Sequence, residues 1–122
     1  MVKYPKPEDI SRYNRIVLDI ARAYKADSHK ILSQRNIDSA VRSAKRAKGD
    51  VEYKAAVLMK NLNQSHPFSS GNKRTAYFSA NKMIGMNKGY MIAKKKDKRV
   101  DMAKRIREGR VNNKEIAQWL RK

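Results

Sequence analysis

The sequence of 122 residues contains no cysteine and only two histidines, His29 and His66, which are far apart in the chain. Without cysteine, the protein cannot form disulfides, use a thiolate nucleophile or build a cysteine-based zinc site. No apolar run approaches the length of a membrane span, and the first residues do not begin a signal peptide. We therefore expect a cytoplasmic protein with no membrane partner.

Acidic residues are also scarce. The chain has 11 Asp and Glu against 30 Lys and Arg, which gives a formal net charge of +19. A surface of this charge attracts nucleic acid, anionic lipid or an acidic protein. A general bias of the lineage toward lysine would produce the same composition. Because net charge bears on partners rather than on fold, both interpretations stay open.

The apolar pattern predicts a single all-α domain of about six helices over residues 1–122. Residues 1–6 of this domain are expected to form a flexible arm. Pro7, with two acids after it, marks the start of the first helix. Its apolar stripe consists of Ile10, Tyr13, Ile16, Val17, Ile20, Ala21 and Tyr24. Residues 26–34 read as a connection with Ile31 and Leu32 as packing anchors, and we assign His29 no role.

Cap and stop signals predict the other helices. Asn36 is expected to cap the second helix and Gly49 to end it, while Asp50 caps a third, buried helix. A fourth helix reaches about Met86. Residues 90–93 could form a short extended piece, and the charge run at residues 94–99 is typical of a solvated loop. A short helix with Val100, Ala103 and Ile106 follows, and the last helix starts with a capping box of Asn112 and Glu115.

The stretch from His66 to Thr75 is the one that points to chemistry. Small polar residues lead through Gly71 into the fourth helix, whose first-turn N–H groups and dipole would favour a phosphate. Lys73 and Arg74 add positive charge, and His66 can move a proton near neutral pH. The same stretch could be an ordinary helix cap with a solvated basic turn, so both interpretations stay open at this point.

The stretch resembles the signature of the Fic/Doc family, His-x-Phe-x-(Asp/Glu/Asn)-(Gly/Ala)-Asn-(Gly/Lys)-Arg. The matching residues are His66, Phe68, Gly71, Asn72 and Arg74. Lys73 matches the Doc (death-on-curing) branch, which carries lysine at the position that is glycine in Fic proteins. Tyr77 stands where Fic proteins carry a second arginine. The resemblance extends from about residue 7 to residue 120. Ser70 occupies the acidic position of the motif.

The resemblance implies a compact Doc-like helical fold and the transfer of part of ATP, or of another nucleotide triphosphate, to a protein hydroxyl. His66 would be the catalytic base, and Gly71, Asn72, Lys73 and Arg74 would bind the phosphates. Phe68 would anchor the loop in the core. Residues 43–52 would correspond to the flap that aligns the target.

The acidic residue of the family binds magnesium, so Ser70 implies a metal site that is weakened or absent. Doc members phosphorylate a translation elongation factor and act as toxins paired with an antitoxin, whereas Fic members transfer AMP.

Two functional hypotheses therefore remain. The first is a Doc-like kinase toxin, or a related AMP transferase, with a target protein and an acidic antitoxin as partners. The second is a weak or inactive relative that binds a nucleotide, RNA or another polyanion, or a protein, through its basic surface.

Overall fold

The computed structural model describes residues 1–20 and 28–121, and it is all-helical within these ranges. The six helices are α1 (Pro7–Ile20), α2 (Gln34–Arg46), α3 (Val51–Ser65), α4 (Asn72–Lys88), α5 (Lys96–Arg107) and α6 (Asn113–Leu120). The predicted fold class and helix number are confirmed. Ala21 and Tyr24 of the first apolar stripe, and the start of the connection at residues 26–27, lie outside the described residues.

Helix α3 forms the centre of the domain and packs against α2, α4, α5 and α6. Its apolar residues occur on nearly all sides, as expected for a helix surrounded by others. Helix α4 packs against both α3 and α1. The loop between α3 and α4, residues 66–71, therefore emerges from the two most buried helices, and its ends are held in place by the core.

The start of α2 differs from the sequence prediction. Ser33, not Asn36, is the N-cap, and its hydroxyl accepts a hydrogen bond from the Asn36 N–H at 3.1 Å. The Asn36 side chain instead donates to the carbonyl of Ser65 at 3.1 Å. The helix ends at Arg46, before Gly49. Sequence spacing alone cannot separate two capping residues three positions apart, because the choice depends on the tertiary contact with Ser65.

Other predicted helix ends are confirmed or shifted by a few residues. Asp50 caps α3 by accepting from the Tyr53 N–H at 3.0 Å. Asn112 and Glu115 form the capping box at the start of α6. Helix α4 continues to Lys88, where the next residue is a glycine with a φ of 79°.

The charge run at residues 94–99 is not a loop throughout, because α5 begins at Lys96. Asp97 in the first turn suits the positive end of the helix dipole. On this helix Met102, Ala103 and Ile106 are buried, whereas Val100, which was expected to pack in the core, is 60% exposed. Residues 90–93 carry no strand assignment.

Residues 1–6, the expected flexible arm, lie against the domain. The Lys3 N–H donates to the side-chain oxygen of Asn87 at 2.7 Å, and the Asn87 amide donates back to the Lys3 carbonyl at 2.8 Å. Val2 and Tyr4 pack partly against the core. Within residues 1–20 and 28–121, no helix combines the length and the apolar composition needed to cross a bilayer.

Candidate functional site

A cavity of about 640 Å³ opens where the 66–71 loop meets α1, α3, α4 and α5. This volume is typical of small-molecule sites. Five of the residues predicted to act together line it: His66, Gly71, Asn72, Lys73 and Arg74. The apolar lining residues are Val17, Ile20, Met59, Phe78, Val100 and Ala103. The structure thus places the basic loop beside an apolar surface on which a ring could lie.

His66 ends α3 in a left-handed conformation, with φ 48° and ψ 61°. It is the only non-glycine residue with positive φ in the part of the chain that the structure describes. Such a backbone costs an L-residue free energy and is concentrated at functional sites. The side chain is exposed at the cavity wall. The backbone break before Pro67 thus directs an imidazole toward the cavity.

Phe68 and Asn72 set the shape of the loop. The Phe68 side chain is only 1% exposed and belongs to the core. The Asn72 side chain accepts from the Phe68 N–H at 3.0 Å and donates to the Phe68 carbonyl at 2.8 Å. The loop backbone thus uses the oxygen and one of the two N–H groups of the Asn72 amide, so a phosphate could be contacted by the second amide N–H or by the backbone N–H.

A second chain segment pairs with the loop. Ile31 and Phe68 form an isolated antiparallel bridge, and the Leu32 N–H donates to the Pro67 carbonyl at 2.8 Å. Ile31 and Leu32 are 37% and 59% exposed, so they are not the packing anchors that we expected. Their backbones, rather than their side chains, hold the segment.

The flap expected at residues 43–52 is not beside the site. None of the described residues that line the cavity lies in that stretch, which comprises the end of α2, the connection and the start of α3. In the described ranges, the extended segment next to the loop is 28–33. The sequence offered no periodic or capping signal for this pairing, since a short extended strand in a connection has neither.

Asn14 contacts the loop by hydrogen bonds, and His29 contacts Asn14. Neither residue was assigned a role from the sequence. Asn14 is fully buried, and its amide donates to the Ser70 carbonyl at 2.9 Å and to the Thr75 hydroxyl at 3.0 Å. Its oxygen lies 2.8 Å from Nδ1 of His29. Burial, with a smaller effect from Arg15, lowers the pKa of His29. The available signal was an asparagine on the apolar stripe of α1, four residues after Ile10.

The N-terminus of α4 has no side-chain cap. Its N-cap is Gly71, with φ 74°, and no capping side chain accepts a hydrogen bond from the N–H groups of the first turn. An ordinary Ser or Asn cap, the alternative interpretation of this stretch, is therefore wrong. A side chain at position 71 would have its Cβ 3.1 Å from Leu18 Cδ2 and 3.3 Å from Asn14 Nδ2. Glycine is required both by the conformation and by the close packing of α1.

The donor set does not fit a magnesium ion. Ser70 is not among the cavity-lining residues, and its carbonyl is used by Asn14. Among the described residues, the lining contains four cationic side chains and no Asp or Glu, and no group of three His, Asp or Glu residues could hold a metal. Magnesium requires oxygen ligands, usually carboxylates. The site is instead suited to an anion.

The sequence matches the model of one known protein family. The sequence model of the Fic/DOC family matches residues 4–84, about two thirds of the chain, and this range contains the whole 66–74 motif. Helices α5 and α6 lie beyond the matched range. No curated protein matches the sequence.

Proposed function

Because the chain belongs to the Fic/DOC family, we propose that it is a Doc-like toxin. It transfers a phosphoryl group from ATP, or another nucleoside triphosphate, to a hydroxyl of a target protein such as a translation factor. Family membership indicates nucleotide-transferase activity in general. The kinase type is supported by Lys73, which stands where the Doc branch carries lysine. A small acidic antitoxin is the partner that suits a toxin with a net charge of +19.

In the proposed reaction, His66 accepts the proton of the target hydroxyl as its oxygen attacks the γ-phosphorus. The bond between the γ-phosphorus and the β–γ bridging oxygen breaks, and the nucleoside diphosphate leaves. Lys73, Arg74 and the first-turn N–H groups of α4 stabilise the charge on the phosphates. Phe68 and Asn72 keep the loop in shape.

One observation supports this proposal above the others. The exposed His66 and the uncapped N-terminus of α4 line the same cavity, together with Lys73 and Arg74. A base and a phosphate-binding helix end are the two parts that transfer to a hydroxyl needs.

The experiment compares transfer of label from γ-labelled and from α-labelled ATP to proteins of a cell extract. The proposed kinase transfers the γ label alone. His66→Asn is the test variant, because asparagine tolerates positive φ and leaves the fold intact. It should lower transfer by about 100-fold or more, the usual contribution of a general base. The control is Gln64→Ala, an exposed residue of α3 two positions before His66.

Transfer of the α label would replace the kinase with an AMP transferase at the same site. A second candidate function is a binding module without catalysis, favoured by the lack of a carboxylate among the described cavity-lining residues. It predicts no transfer of either label, together with RNA or acidic-protein binding that weakens steeply as salt rises. Equal transfer by wild type and His66→Asn would contradict the proposed role of His66.

A further inference from the structure

Helix α5 contributes one face to the cavity. Its lining residues, Lys96, Arg99, Val100 and Ala103, are spaced by three, one and three positions. This spacing places them on one side of a helix. Two are cations near the helix start, and two are apolar residues next to the apolar lining of α1 and α3. This face lies outside the range matched by the family model.

Arg99 is held in position by an aromatic ring. Its guanidinium carbon lies 5.7 Å from the ring centroid of Tyr77, within the range of a cation–π contact. The Tyr77 hydroxyl donates to the Ile92 carbonyl at 2.7 Å and accepts from the Lys94 N–H at 3.3 Å. Because the ring is fixed at its far end, Arg99 is oriented before any ligand arrives. A cation–π contact does not use the N–H donors of the guanidinium, so these donors can still bind an anion.

Lys96 and Arg99 are the two charged residues of α5 that line the cavity. In residues 1–20 and 28–121, no ion pair involves Lys96 or Arg99. Across the cavity, α4 presents its own positive dipole end with Lys73. Two positively charged walls repel each other unless an anion lies between them, and the apolar lining strengthens both repulsion and anion binding. The cavity therefore suits a ligand with several negative charges and a ring.

We propose that Lys96 and Arg99 bind the two phosphates that are not transferred, the α- and β-phosphates of a nucleoside triphosphate whose γ-phosphate lies at the N-terminus of α4 beside His66. As fixed cations they supply the charge that a bridging divalent ion would supply, so that triphosphate binding does not depend on magnesium. The inference rests on the proposed nucleotide site. The family implies a metal at this site, but the described residues that line the cavity include no Asp or Glu that could bind one. This difference motivates the inference.

The test measures the affinity of ATP and of adenosine, which has no phosphate, by calorimetry in EDTA and in magnesium. The variant is the double substitution Lys96→Gln/Arg99→Gln. The matched control is Lys98→Gln/Arg107→Gln, which removes the same two residue types from exposed positions of the same helix that do not line the cavity. Both doubles lower the net charge by two, so general electrostatic attraction is equal in the two proteins.

For wild type, we expect ATP affinities in EDTA and in magnesium that agree within about twofold. Lys96→Gln/Arg99→Gln should weaken ATP binding by about tenfold or more, as expected for lost charge-assisted contacts, and should leave adenosine binding unchanged. The control double should bind both ligands like wild type.

Strong magnesium dependence in wild type, or equal losses in the two double variants, would overturn the inference and leave the nucleotide site in place. Wild type that binds no ATP in either buffer would overturn the proposed function as well.

Discussion

The side-chain oxygen of Asn14 on α1 lies 2.8 Å from Nδ1 of His29. The Asn14 nitrogen already donates to the Ser70 carbonyl and the Thr75 hydroxyl, so its oxygen must be the acceptor. His29 therefore carries its proton on Nδ1 in the neutral form. One buried amide thus connects α1 and the 28–33 segment to both the loop and α4.

Replacing Asn14 should be costly. Asn14→Ala removes two donors and one acceptor at a fully buried position and leaves the Thr75 hydroxyl and the His29 N–H without this partner. We expect a loss of about 2–4 kcal/mol in the free energy of unfolding, since each orphaned buried group costs roughly 1–3 kcal/mol. Urea denaturation measures it. The control is Asn61→Ala, whose side chain donates to Val57 within its own helix, with a loss under about 1 kcal/mol. Similar losses in the two variants would contradict this reading of Asn14.

The pH dependence of stability should include His29. Because burial lowers its folded pKa below the ordinary value, the unfolded chain takes up this proton first as the pH falls. Stability is therefore lost as the pH falls through about 6.5 toward the folded pKa. We expect the drop in Tm between neutral pH and mildly acidic pH to be smaller in His29→Gln than in wild type. Identical drops in the two proteins would show that His29 does not contribute.

The two glycines at the ends of α4 provide a matched pair. Both have positive φ, 74° at Gly71 and 79° at Gly89. A Cβ added at Gly71 would lie 3.1 Å from Leu18, whereas a Cβ added at Gly89 would have no atom of another residue within 4 Å. Gly89→Ala should cost about 1–2 kcal/mol from backbone strain alone. Gly71→Ala should cost about 1–3 kcal/mol more, because crowding of a packed site is added. If denaturation shows equal losses in the free energy of unfolding for the two variants, α1 shifts at no cost to accept the added methyl group at position 71.

Arg121 links the start of α3 to the end of α6. Its guanidinium lies 2.7 Å from a carboxylate oxygen of Asp50 and 3.6 Å from the buried Glu52. The hydrogen bond from Arg121 lowers the pKa of Asp50. The stability that ionised Asp50 contributes is therefore present near neutral pH and is lost as the pH falls through the acidic range. Arg121→Ala should lower the free energy of unfolding at neutral pH, chiefly by leaving the Glu52 carboxylate without its cation.

A double-mutant cycle checks this explanation. In the Glu52→Gln background, Arg121→Ala should cost clearly less, because no buried charge remains to be paired. An equal loss in both backgrounds would assign the effect to Asp50 or to packing.

The sequence by itself determined the features that depend on neighbours along the chain. Helical periodicity identified Ile10, Tyr13 and Val17 as core residues of α1, although Ile20 of the same predicted stripe is 78% exposed. The caps at Asp50 and Asn112 were recognisable because a capping residue and its partner are three positions apart. The 66–74 motif could be read for the same reason, and the structure brings five of its residues, His66 and the four residues from Gly71 to Arg74, to one cavity. Their roles in binding and catalysis remain predictions.

Only the tertiary structure decided which distant residues meet. Asn14 contacts Ser70 across 56 positions, and the backbone at residues 28–33 pairs with the loop instead of the stretch at 43–52. The charge run near Lys96 was ambiguous, since solvated loops and exposed helices share that composition, and only packing of α5 on α3 turned it toward the cavity. Such contacts depend on how helices pack in space, and an isolated asparagine, histidine or arginine carries no local pattern that specifies its partner.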